Sequence, residues 1–592
     1  MDQERQTLLR AQQLLQQRRY ADCATLLAPL CAAGRPLAAL GTAAMAHSLA
    51  GNAAAATDCF ERYLAARPAD AQAWNNFGNH LRGADPPRSL ACYRRAIALA
   101  GDFRDARFNL ALLHHERREH RAALEALSPG PDCTPREHAL AASLHLRLQQ
   151  WPQAARHLRA QLAHDPADAR SRLNLAVALR RQGEAAEALA VLEAAGPGAP
   201  AALGFERAAI LLDAGRREDA LALLEGIVAR EPAHLAAHEA IDRIHFENGA
   251  TQRVGESLAR AWQQCGDARL PAALALRLER VGQRERALGL VEGLGPEIAQ
   301  DAEVQRLRAR LLVAAGRAEE AERVFRDCLA RHPADSGAAL DHARFLMLQG
   351  RAREAAARLE RSLAAAPEDQ LLLANLATAW KLDGDARHRA LFDAGRFVRT
   401  YDLAAHGLER AFFAGLAALL RRMHGAAQHP IDQSLRGGTQ TLGNLLLRRE
   451  PAILRLRQCI ESVVADYIAA LPRDDAHPFL RRRPARFRIA GSWSVLLRPG
   501  GFHVPHTHGQ GWLSSALYVD LPAGLADTAP EGCLEFGRSD LPLAPAQDPP
   551  ELLLAPEVGR LVLFPSYLWH GTVPFTAPGE RLTVAFDVSP AD

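Results

Sequence analysis

The sequence predicts a multidomain protein in which an all-α superhelical solenoid of paired helices precedes a β-rich domain with flanking helices. Three observations lead there. The chain has 592 residues, beyond the roughly 250–300 at which a single core stops growing. Prolines opening a shared tripeptide pattern recur near multiples of one helix-pair length, and beyond about residue 390 that period gives way to short β-branched runs punctuated by Gly and Pro.

The repeat signal comes first along the chain. The pattern Pro, Ala or Glu, then Asp or His stands at Pro68, Pro166, Pro232, Pro333 and Pro367, with intervals of 98, 66, 101 and 34. Each is close to a whole multiple of 33 or 34, and a proline there is expected to end one helix pair and open the next. Between the prolines, apolar residues keep helical spacing, as in Trp74, Phe77 and Leu81. NLAVALRRQGEAAEALAVLEAA from Asn174 and ARFLMLQGRAREAAARLERSLAAAP from Ala343 each place a glycine, Gly183 or Gly350, where a first helix should end. Small residues such as Ala188 and Ala355 let the second helix approach. The period, the glycine turn and the proline together resemble the tetratricopeptide repeat family over residues 1–390. That resemblance implies a groove that binds a protein or peptide, the alternative being a spacer for the C-terminal domain. His114, His115 and His157 lie on these helices with no carboxylate at ligand spacing and read as packing or surface residues.

Residues 391–424 read as a helical linker, and residues 425–592 as the second domain. Candidate strands are SWSVLLR from Ser492, FHVPHTH from Phe502, SSALYVDLP from Ser514, CLEFG from Cys533, RLVLFP from Arg560, WHGTVPF from Trp569 and RLTVAFDV from Arg581. Seven or eight short strands with turn-rich connections suggest a jelly roll, or double-stranded β-helix. The segment QSLRGGTQT, Gln433 to Thr441, is a turn, a lid or a substrate contact, with Arg436 the candidate for binding an anion.

His506 and His508, one residue apart on a predicted strand, would face the same way and could grip one ion. His570 comes after the apolar run LVLFP and would supply a third ligand from a distant strand, a facial arrangement with positions left open. Arg581 and Thr583 share a face of the last strand. If that face is inward, the arginine requires an anion, which a ligand carboxylate would supply; Asp587 lies on the same face, which leaves open that it meets solvent.

The ordered set H-x-H, LVLFPSYLWH and R-x-T resembles the 2-oxoglutarate/Fe(II)-dependent oxygenase superfamily. QSLRGGTQT with PHTHGQGWLSSALYVDLP is similar to a bacterial and phage subgroup often fused to tetratricopeptide repeats. The resemblance implies Fe(II), 2-oxoglutarate and O2, with His506 and His570 as iron ligands and Arg581, aided by Thr583, holding the far carboxylate of 2-oxoglutarate. It implies no acid–base residue. The departure is His508, where most of the superfamily has Asp or Glu; it either binds iron or stands behind the ligands while His503 or water completes the sphere. The alternatives are a three-histidine cupin-like enzyme that does not use 2-oxoglutarate and a non-catalytic interaction scaffold.

Composition narrows the remaining classes. Hydrophobic residues make up 48% and charged residues 23%, ordinary for folded protein, and no run approaches the roughly 20 apolar residues of a membrane span. The charged start MDQERQTLLR has no apolar core of a secretory signal, so a cytoplasmic location is expected. A net charge of +3 gives no reason to expect nucleic acid, and RRRPARFR from Arg481 reads as a charged linker. Nine scattered cysteines without a C-x-x-C pair argue against a disulfide framework and a thiolate zinc site. Lys381 is the sole lysine, and the Arg- and Ala-rich composition suggests a GC-rich bacterial coding sequence.

Overall fold

The computed structural model describes residues 2–33, 36–130, 132–196, 198–525 and 529–591. It divides into two compact units, Met1–Gly196 and Pro197–Asp592. The first consists of paired helices. The second continues the pairs to Gln370–Asp383 and adds a β-sheet region.

The tripeptide pattern acts through its third residue. Asp70, Asp168, Asp335 and Asp369 each sit at a helix N-cap, where the carboxylate accepts backbone N–H groups of the first turn, and His234 Nδ1 does the same for Ala237 N. The proline therefore stands in the turn before the cap and not in the first helical turn as the sequence suggested. The glycine turns are as expected: Gly183 and Gly350 have φ of +80° and +72°. His114 departs from expectation, because its Nδ1 lies 2.6 Å from Glu119 Oε2. Seven of the nine cysteines are buried and all are free.

The second unit contains nine described strands: β1 (Arg399–Asp402), β2 (Leu435–Gln440), β3 (Phe487–His503), β4 (Leu513–Asp520), β5 (Leu534–Phe536), β6 (Leu552–Leu554), β7 (Arg560–Pro565), β8 (His570–Thr572) and β9 (Arg581–Pro590). They form a six-stranded sheet, β1-β7-β4-β9-β3-β2, and a three-stranded sheet, β6-β5-β8, every pairing antiparallel. The 391–424 segment is only partly helical. It contributes β1, an edge strand on β7, before the helix Arg410–Arg421. QSLRGGTQT is largely a strand, which the sequence did not suggest. Its residues 435–440 form β2, with an irregularity between Arg436 and Gly438. A Cβ on Gly437 would lie 2.8 Å from Gly501 Cα, and one on Gly438 would lie 2.3 Å from Leu496 O, so the glycine pairs of β2 and β3 pack backbone on backbone.

Within this unit the last repeats and the sheets share side chains. Leu373 and Ala377 belong to the same apolar core as Phe564, Leu582 and Val588, while Leu541 inserts among Leu346, Leu372 and Leu376. Lys381 Nζ donates to Asp548 Oδ1 at 2.7 Å, Gly537 O at 2.8 Å and Pro549 O at 2.6 Å. Further along the repeats, Glu247 O accepts the N–H groups of Ala427 and Gln428, and Arg277 pairs with Asp432. These contacts come from Leu235–Glu247, Arg269–Arg280 and Gln370–Asp383, each the first helix after a turn between pairs.

Candidate metal centre

The central strand β9 divides the domain's chemistry. Leu582, Val584, Phe586 and Val588 point into the apolar core, whereas Arg581, Thr583 and Ala585 line a pocket, as the two-residue period of a strand requires. Val495 and Trp493 on β3, Ser515 on β4 and Thr572 on β8 complete much of its wall.

His506, His508 and His570 converge there, their candidate ligand atoms all within 4.8 Å of one another. Ring centroids are 4.2 Å apart for His506 and His570, 5.1 Å for His506 and His508, and 5.0 Å for His508 and His570. His506 and His508 do not lie on a strand. β3 ends at His503, and the extended segment after it is tied to the 566–570 segment by His506 N to His570 O (2.9 Å), His570 N to His506 O (3.1 Å) and His508 N to Ser566 O (3.0 Å). Backbone bridging thus sets the two ligand segments against each other without a regular ladder.

The outer nitrogens fix the tautomers. His506 Nδ1 donates to Val504 O at 2.9 Å, His570 Nδ1 to Leu568 O at 3.0 Å, and His508 Nδ1 to Asp587 Oδ1 at 2.6 Å. A carbonyl can only accept, so Nδ1 of His506 and His570 carries the proton and Nε2 keeps the lone pair a metal needs. Burial, reinforced by neighbouring histidines, pushes His506 down to about 3 and His570 far below its ordinary value, so both are neutral near pH 7. Three converging imidazoles with tethered outer nitrogens fit a divalent transition metal. His503 is outside the ligand group. Its ring lies 5.5 Å from that of His506 and its Nδ1 is 3.0 Å from Ser434 Oγ.

Arg581 is 2% exposed, which settles the orientation that the sequence left open. Its guanidinium carbon lies 5.0 Å from the Tyr518 ring centroid, the phenol is its polar neighbour, and among the described residues the buried Arg581 Nε has no hydrogen-bond partner. Burial opposes the Arg581 charge and raises the Tyr518 phenol. Thr583, also buried, lies beside Arg581 on the wall. Arg436 is not in the pocket lining; its Nη1 turns back to Gln433 O and Leu435 O, both at 2.7 Å. The sequence reading misses Ser514 and Tyr518, and treats Asp587 only as a sign that the Arg581 face could meet solvent. Tyr518 carries a usable signal, since it shares a face of β4 with Ala516, which lines the pocket.

The last repeat helix and the segment after it brace the stretch that carries His570. Tyr567 Oη donates to Leu391 O at 2.6 Å, and Trp569 Nε1 donates to Ala374 O at 3.2 Å.

Comparison with known families finds two kinds of module. The family described as "Putative 2OG-Fe(II) oxygenase" matches residues 491–587, and tetratricopeptide repeat families match 79–129, 140–202 and 312–379. Both kinds of module therefore stand in one chain. No curated protein matches the chain. Among solved structures, yeast Tom70 is 13% identical and covers 70% of this chain and 96% of its own, with a TM-score of 0.35. YrrB, described as a TPR protein with an unusual peptide-binding site, is 21% identical over 31% of this chain and 96% of its own, with a TM-score of 0.28. A tetratricopeptide repeat protein from Parabacteroides merdae ATCC 43184 is 17% identical over 41% and 98%, with a TM-score of 0.30.

Proposed function

We propose that the protein is an Fe(II)- and 2-oxoglutarate-dependent oxygenase that hydroxylates a C–H bond, with His506, His508 and His570 holding the metal. The observation that carries this reading is the buried Arg581 guanidinium, which faces the same pocket as the three histidines and has no carboxylate against it among the described residues. A buried cation without a counter-charge is costly, and a dicarboxylate reaching from the metal to Arg581 would relieve that cost. Bound there, iron and co-substrate supply O2 activation coupled to oxidative decarboxylation of 2-oxoglutarate to succinate. The chain's own residues do the rest. The histidines present unprotonated Nε2 atoms, Arg581 with Thr583 and Tyr518 anchors the far carboxylate, and Val495, Leu534 and Ala585 keep the floor apolar.

The repeats of the second unit already hold the oxygenase domain through their first helices. We therefore assign a protein or peptide partner to the repeats of residues 2–196.

Anaerobic Fe(II) titration with and without 2-oxoglutarate tests the site. The expected result is a visible charge-transfer band that forms only with both present and is lost in Arg581→Ala, together with iron-dependent succinate formation that is lost in His570→Ala. Iron binding without the band would favour a three-histidine centre that does not use 2-oxoglutarate, and absence of iron binding would leave a scaffold.

A further inference from the structure

The three histidines are not equivalent. His506 and His570 donate from Nδ1 to neutral backbone carbonyls, but His508 donates to a carboxylate. We propose that Asp587 is a positioning residue that supplies, one imidazole further out, the negative charge that a ligand set of three histidines lacks. This rests on the metal reading above.

The contact is built, not incidental. Asp587 Oδ1 accepts from His508 Nδ1 at 2.6 Å and from Ser514 Oγ at 2.7 Å; Ser514 Oγ is 3.2 Å from His508 Nδ1 and 2.8 Å from Ser566 Oγ. Register places Ser514 opposite Asp587 in the β4–β9 pair, and both serines are fully buried. The Asp587 side chain is 13% exposed. Space for this cluster depends on Gly511, where a Cβ would come within 2.4 Å of Ser566 Oγ and 3.4 Å of Asp587 Cγ. Two hydroxyls and a glycine thus hold one carboxylate oxygen against one ring nitrogen.

Counting charges gives the electrostatic consequence. A divalent ion on three neutral imidazoles leaves the centre at 2+, whereas two imidazoles and a carboxylate leave it at 1+. A carboxylate hydrogen-bonded to a ligand imidazole makes Nε2 a stronger donor and partly restores the lower charge. It also fixes the ring plane of His508, which has no regular strand to hold it.

The test is metal affinity of the full chain, measured anaerobically with Fe(II) and independently with Co(II) by calorimetry and by the Co(II) ligand-field spectrum. Asp587→Asn keeps the shape and an acceptor but removes the charge. It is expected to weaken binding about 10- to 100-fold and to shift the Co(II) spectrum. Ser514→Ala, which leaves the carboxylate in place, should weaken binding in the same direction by a smaller factor, and serves if Asp587→Asn does not fold. In a His508→Asp background the ligand brings its own charge and faces Asp587 across a like-charge contact, so there Asp587→Asn should strengthen binding. Unchanged affinity in Asp587→Asn, or an equal loss in both backgrounds, would overturn the proposal. Failure of the metal reading itself looks different, because the unsubstituted protein would then take up neither ion.

Discussion

At the scale of single residues, the pocket is defined by what fits beside His570. A Cβ at Gly571 would lie 2.9 Å from Glu535 Oε1, 3.0 Å from His503 O and 3.3 Å from Pro505 N. Two of those three atoms are backbone of the segment leading to His506, so the conflict cannot be relieved by a rotamer change. Gly571→Ala should lower the stability of the oxygenase domain by about 1–3 kcal/mol and weaken metal binding at least tenfold. Urea unfolding and metal titration measure the two effects, and unchanged values in both would refute the packing argument. Tyr518→Phe separates binding from folding. Removing a buried hydroxyl whose polar neighbour is the Arg581 guanidinium should change stability by no more than about 1 kcal/mol, while the KM for 2-oxoglutarate rises several-fold with kcat nearly constant. A lowered stability with an unchanged KM would show the hydroxyl to be structural. The grouping of His506, His508 and His570 was legible in the sequence because candidate ligand histidines announce themselves by type and spacing. Asp587 was not, since its meaning depends on β9 register across 79 residues from His508.

At the scale of elements, local propensity misled where glycine is used for close approach. Gly437 and Gly438 argue against a strand by composition, yet β2 forms because Gly437 meets the backbone of Gly501 and Gly438 that of Leu496, where side chains could not fit. Strands rich in β-branched and aromatic residues, β4, β7 and β9, were legible, and so were the helix pairs with their periodic apolar faces. The joint between helix Gln370–Asp383 and the sheets was not, because it depends on one lysine meeting a carboxylate 167 residues later. Asp548 is 3% exposed, and Ser539 N and Oγ donate to its other oxygen, Oδ2. Lys381→Met would leave that buried charge half-compensated. The expected loss is about 3–5 kcal/mol, read as a lower urea midpoint for the second unit. Lys381→Met/Asp548→Asn should recover part of it, and a single variant as stable as the parent would show the pair to be incidental.

At the scale of the whole molecule, buried histidines should erode the stability of the second unit as pH falls, opposed by Asp242, whose carboxyl is pushed up to about 6 by burial. Burial depresses His342, His424 and His429 to about 4 from an ordinary 6.5. Unfolding lets each take up a proton, so the stability they contribute is complete above about 6.5 and is lost as pH falls towards 4, at up to about 1.4 kcal/mol per pH unit for each. His342→Leu should flatten that dependence, and urea midpoints between pH 7.5 and 5 measure it. No described helix is long and apolar enough to cross a membrane. The same unit predicts where the chain can be cut. A fragment of residues 391–592 begins where the sequence changes character, but it loses Lys381 from Asp548, Ala374 O from the Trp569 indole, and the apolar partners of Leu541. It would therefore carry a stranded buried carboxylate and an unpaired indole N–H on the segment that positions His570. A fragment of residues 198–592 retains all of these partners. The longer fragment should be soluble, resist limited proteolysis and bind metal as the full chain does, whereas the shorter one should aggregate or bind metal at least tenfold more weakly. Equal metal affinity in the two fragments would show that the repeats only accompany the β-sheet domain and do not complete it.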